Sequence, residues 1–144
     1  MRDFFFPRQK WLTRNVPPHW CDKVELIPIV LFEILIHFVE EEMDNVSWDW
    51  QDEVDAGHTS QEHADRVKKA ASELRSAYDY VKNMRSNLQK QLNDSYPPYP
   101  LPDKLLGIKY EDLYAETNFL EKMIESQDEW AMQIIIKNRQ FLWT

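Results

Sequence analysis

The chain has 144 residues, 43% hydrophobic and 13% aromatic, with a formal net charge of −8. That length suits one domain whose core needs no staple, and a lone cysteine, Cys21, excludes an intrachain disulfide and a four-cysteine zinc site and fits a reducing compartment. Residues 1–16 carry +3 and residues 137–144 carry +2, which leaves −13 for residues 17–136, a balance that excludes duplex nucleic acid as a general ligand.

Residues 1–21 read as an N-terminal arm rich in aromatics, MRDFFFPRQKW at its start, with an apolar run too short for a signal peptide. Asp22 and Glu25 have capping-box spacing and predict a central helix over 22–44. Apolar nearly all round, it is expected to be the most buried element, bent locally at Pro28. Its apolar stretch, residues 24–39, contains Glu33 and His37 and is too short for a bilayer span, so no membrane association is expected.

Asn45 to Ser60, with Gly57 and the acids Asp52, Glu53 and Asp55, breaks the pattern and reads as a loop. Thr59 and Glu62 repeat the capping-box spacing and open a long helix over 60–94. Its seam is Ala64, Val67, Ala71, Leu74, Tyr78, Val81, Leu88 and Leu92, interrupted by Arg85. Four prolines between Pro97 and Pro102 make 95–109 an extended connector. A last helix is expected over 110–142, with Leu113, Thr117, Leu120, Ile124, Ala131, Ile134 and Phe141 on one stripe. The fold class expected is all-α, a single domain built as a bundle of about three long helices with an aromatic N-terminal arm and a Pro-rich connector.

Two glycines leave no Walker or dinucleotide loop, and no GxSxG elbow supports a serine triad. Two constellations remain. Glu33, His37 and Glu40 share one face of the central helix, with Glu41 and Asp44 beside them, and such a row holds a divalent ion when a second helix completes the ligands. The ExxD pairs Glu62/Asp65 and Glu125/Asp128 have the spacing to do so, loosely similar to the all-α nucleoside-triphosphate pyrophosphatases, whose cofactor would be magnesium or manganese. A solvated acidic face around one half-buried histidine is the alternative reading. The second constellation is His19, Trp20 and Lys23 in the turn PPHWCDK with Arg139 and Trp143 of the tail. If the ends meet, flat aromatic surface and cationic donors combine to suit a nucleotide-like anion; otherwise the tryptophans are core plugs.

The ends of the chain resemble a group of small tailed-bacteriophage proteins to which no activity is assigned. The matching residues are Trp20, Asp22 and Lys23 of the PPHWxDK turn; Phe32, Leu35, Phe38, Val39 and Glu40 of an FxxLxxFVE helix; and Arg139, Leu142, Trp143 and Thr144 of the terminal RxxLWT. The resemblance covers about a third of the chain and implies a phage origin and a life in the cytoplasm of the infected bacterial host. It leads to a non-enzymatic accessory protein, of a kind that includes counter-defence factors, binding a nucleotide-like signal or a host immune protein without a cofactor. A metal-dependent pyrophosphatase-like hydrolase and a virion structural or assembly protein are the alternatives. The seam from Ala64 to Leu92 can pack inside the bundle or pair across a two-fold axis, and the share of aromatic residues favours a homodimer.

Overall fold

The computed structural model describes residues 10–13, 15, 22–43 and 49–142, which are mostly helical with no strand among them. Helix α1, Lys23–His37, runs on into a π-helical segment, Phe38–Met43. Phe32, Leu35 and Val39, spaced by three and four, form its buried side, and each large apolar side chain so covered stabilises the fold by about 1.5–3 kcal/mol. Val24 at 79% exposure and Ile27 at 53% face water. The composition of α1 therefore overstates its burial, because its first turns, at Val24 and Ile27, are left uncovered among the described residues. Asp22 is the N-cap in extended backbone, but its side chain makes no capping bond.

Part of the stretch expected as loop is a short helix, α2, Trp50–Asp55. No apolar period announces it; the ends define it instead. The Asp49 carboxylate accepts from the Gln51 amide at 2.8 Å. At the other end Gly57, with φ of 78°, takes the left-handed conformation of a Schellman turn, its amide donating to Val54 O at 3.0 Å and that of His58 to Glu53 O at 2.9 Å.

Helix α3, Gln61–Asp79, is capped by Ser60 and not by Thr59, the Ser60 hydroxyl accepting from the His63 amide at 3.1 Å. It continues through a π-helical segment, Tyr80–Met84, into α4, Arg85–Ser95. Beyond the Pro-rich connector and a 3-10 turn at Asp103–Leu105, the helix expected over 110–142 comes in three pieces: α5, Tyr110–Leu113; α6, Ala115–Lys137; and a 3-10 turn, Arg139–Phe141. The first break falls at Tyr114, whose φ of −105° and ψ of 11° leave the helical region.

Helix α6 is the hub and packs against α1, α3 and α4. Its antiparallel run along α3 and α4 is marked by three polar pairs. Glu73 meets Asn138, Arg85 meets Asp128, and the Thr117 hydroxyl donates to Ser95 O at 3.0 Å. One core cluster joins all three helical layers through Phe32, Leu35, Val39, Leu74, Tyr80 and Ile135. A smaller one, Leu92, Leu120 and Ile124, lies between α4 and α6 without α1.

Arg85, which interrupts the seam in the sequence, has a partner on α6. Its guanidinium grips Asp128 bidentately, Nε to Oδ1 at 2.8 Å and Nη2 to Oδ2 at 2.9 Å, and the Tyr80 hydroxyl donates to Oδ1 at 2.7 Å. The same guanidinium lies 5.3 Å over the Phe32 ring of α1. Burial and the adjacent carboxylate push the Tyr80 phenol far above its ordinary value, so it stays a donor.

At the far end of α6, Glu73 accepts from Asn138 Nδ2 and Lys137 Nζ, each at 3.0 Å. Hydrogen bonds from Asn138 and then Lys137 hold its carboxyl below the ordinary 4.5. A depressed carboxylate stabilises the fold above its unfolded value and loses that contribution as pH falls through the folded one. Replacing Glu73 by Gln is thus expected to cost stability at neutral pH and progressively less below about pH 4.5. Denaturant titrations at several pH values check this, and an equal cost at pH 7 and in acid would refute it.

Candidate functional site

Of the aromatic and basic set, His19, Trp20 and Trp143 lie outside the described residues, as does Asp44 of the metal set. Lys23 is the first residue of α1. Arg139 opens the last turn, exposed, and its Nη1 donates to Ile136 O at 2.9 Å.

The remaining metal candidates have separate employments. Glu33, 3% exposed, accepts from Asn15 Nδ2 of the arm. His37 stacks flat on Trp11, ring centroids 3.9 Å apart and 7° between planes. Glu40 bridges the two π-helical segments, accepting from the Tyr78 hydroxyl at 2.8 Å and pairing with Lys82 at 3.1 Å. Glu41 is exposed. The ExxD pairs are also engaged: Asp65 accepts from Gln61 at 2.9 Å, and Asp128 belongs to Arg85 and Tyr80. Among the described residues no three His, Cys, Asp or Glu side chains converge.

A concavity lies elsewhere, between the π-helical end of α1, the first turn of α2, helix α3 and the last turn. It is an open groove of about 1000 Å³. Its floor is apolar: Phe38 and Met43 from α1, Val67, Ala70, Ala71 and Leu74 from α3, and Phe141. Small residues at 70 and 71 are what keep it open, since larger ones would fill the space with their own side chains. Trp50 stands edge-on to the His63 ring at 5.2 Å, and both line the groove. His63 is half-buried there.

The rim is charged and divided. Glu41, Glu42 and Asp49 come from the end of α1 and the cap of α2, while Arg66 and Lys68 come from α3. Short local bonds hold the α2 side: Gln51 and Gln61 exchange amide hydrogen bonds at 3.2 Å, which ties α2 to the start of α3. Arg66 and Lys68, two residues apart on α3, flank the floor on its two sides, and the arrangement suits burial of an apolar segment within a border of both signs. No hydrogen-bonded nucleophile and base face the groove among the described residues.

Sequence reasoning missed this site for a definite reason. Val67 and Ala71 are on the helix seam and count as core by period, yet they are only half-buried, because no element among the described residues covers them. The pair Ala70-Ala71 amid larger seam residues was the available signal. No family model, curated protein or solved structure matches the chain.

Proposed function

We propose that the chain is a phage-encoded accessory protein that acts by binding, and that its target is a host protein, an amphipathic segment of which lies in the groove between α1, α2, α3 and the last turn. The observation that carries this reading is the groove itself, about 1000 Å³ with an apolar floor and charged residues of both signs along its border. Grooves that take an amphipathic helix have this character, apolar anchors inside and charges along the edges. A nucleotide-like anion is the poorer occupant, because three carboxylates at the rim outnumber Arg66 and Lys68. The hydrolase reading requires Glu33, His37 and Glu40 to give up Asn15, Trp11, Tyr78 and Lys82 before they hold a metal. Binding in place of chemistry, the phage-like ends of the chain and a place in the infected cell's cytoplasm belong together in this account, and blunting a host defence is the task that fits them.

The test uses Val67→Asp, which puts a charge on the floor, and Arg66→Glu, which reverses a rim charge at an exposed position and leaves the core alone. A partner recovered with the wild-type chain from the bacterial host is purified and titrated against all three proteins by calorimetry. Both variants are expected to weaken binding by at least about tenfold, equivalent to about 1.4 kcal/mol, with helix content unchanged by circular dichroism. Equal affinity of the three proteins would refute the groove as the binding surface.

A further inference from the structure

Helix α2 is held to the fold differently from the helices around it. It is six residues long, well short of the roughly 12–15 at which a helix persists alone, and none of the six is fully buried. Several of its bonds close within α2 and its turns: the Asp49 cap on Gln51, Gln51 Nε2 on Asp55 at 3.2 Å, the His58 ring with Glu53 at 2.9 Å, and the Gly57 turn. Such bonds keep α2 a helix without fixing it to anything else. Among the described residues it packs on α3, where the Gln51–Gln61 amide pair and the edge contact of Trp50 with the His63 ring join the two. That amide pair is exposed, and water competes for each of its bonds, so it holds α2 weakly. Trp50 and Asp49 nevertheless form one side of the groove.

We propose, on the reading that the groove is the binding surface, that α2 is its movable wall, swinging on residues 56–60 and held shut by a segment that lies against Trp50. Gly57, with φ of 78°, supplies the hinge, since glycine enters and leaves the left-handed region without the steric cost of a side chain. A Cβ at this position would meet nothing within 4 Å, so the backbone conformation alone decides what a substitution does there. The floor is built differently. Ala70 and Leu74 are buried in α3, and Leu74 belongs to the main core with Ile135 of α6. Opening of α2 therefore leaves the floor in place and takes Trp50 and Asp49 out of the border. A segment that touches Trp50 binds the closed form better than the open one, and by that difference its binding suppresses opening. Elements that close over ligands are drawn from the weakly held parts of a fold, as α2 is.

Amide hydrogen exchange tests this, first on the free chain. The amides of Ala56 and His58, bonded to Asp52 O and Glu53 O at 2.9 Å, report α2 and its turn, and those of Leu74 and Ile135 report the core. Ala56 and His58 are expected to exchange at least about a hundredfold faster than the core amides. Gly57→Ala should speed them about tenfold more, because a side chain in the left-handed region disfavours the closed turn by about that factor, with Leu74 and Ile135 unchanged. In the complex with the host protein that co-purifies with the wild-type chain, both amides should slow at least about tenfold at saturation. Core-like exchange at Ala56 and His58 in the free chain, or no effect of Gly57→Ala on them, overturns the proposal. So does unchanged exchange there in a complex that Val67→Asp abolishes, since the groove is then the binding surface and α2 takes no part. A complex that Val67→Asp retains overturns the groove reading, and the proposal with it, whatever the free chain shows.

Discussion

Asp128→Asn is expected to lower the unfolding free energy by about 3 kcal/mol. Removing one partner of a buried ion pair costs about 3–5 kcal/mol, because the charge left behind has lost its compensation and not its burial. The lower end applies here, since the Arg85 side chain keeps 33% of its exposure and recovers some water. Asn at 128 retains one oxygen for Tyr80 but offers no second acceptor to the bidentate guanidinium, and its amide hydrogens face a donor. The corresponding drop in melting temperature is roughly 10 °C for a chain of this size. Adding Arg85→Met should recover part of the loss, because it removes the stranded charge and leaves an apolar side chain against Phe32. Chemical denaturation of the two single variants and the double variant measures this. A cost below about 1 kcal/mol for Asp128→Asn would mean that the cluster behaves as a surface pair.

Leu35→Ala should cost a comparable amount, about 3–4 kcal/mol, within the range for large-to-small changes in packed cores. Leu35 is fully buried between α1 and the rest of the main cluster, so its removal loses both transfer energy and packing against a rigid surround. Val24→Ala on the same helix, at 79% exposure, is expected to stay within about 0.5 kcal/mol of the wild type. The contrast between the two substitutions, read from urea midpoints at constant slope, tests which side of α1 docks. Similar costs at positions 24 and 35 would show that both faces of α1 are covered.

That contrast also marks where the sequence stopped being legible. Local signals served well for α3, α4 and most of α6: the seam Ala64, Leu74 and Leu92 and the stripe Thr117, Leu120, Ile124 and Ala131 are buried as their spacing predicts. They served poorly for α1, because a helix apolar on every side carries no phase from which its docking face can be read. Tyr80 and Ala77 were missed as core positions because the seam was drawn through their neighbours Tyr78 and Val81, which are only half-buried. Asp128 was read as half of an acidic pair, since a partner on another helix, Arg85, leaves no trace in the spacing of either segment. The short α2 was hidden for a related reason: six residues held by an Asp49 cap and a Gly57 turn need no apolar period. The candidate groove has the least trace of all, because a concavity depends on how separate elements are spaced around Val67 and Ala71, and no local pattern records that spacing.

Native mass spectrometry of the protein purified from infected bacterial cells, with the Val67→Asp protein in parallel, tests the binding account most directly. The account predicts a complex of the wild-type chain with a host protein, released on denaturation and lost in the variant, with no small-molecule or metal adduct required for it. A chain that carries a nucleotide or metal ion in place of a protein partner, or a partner retained by Val67→Asp, would contradict it.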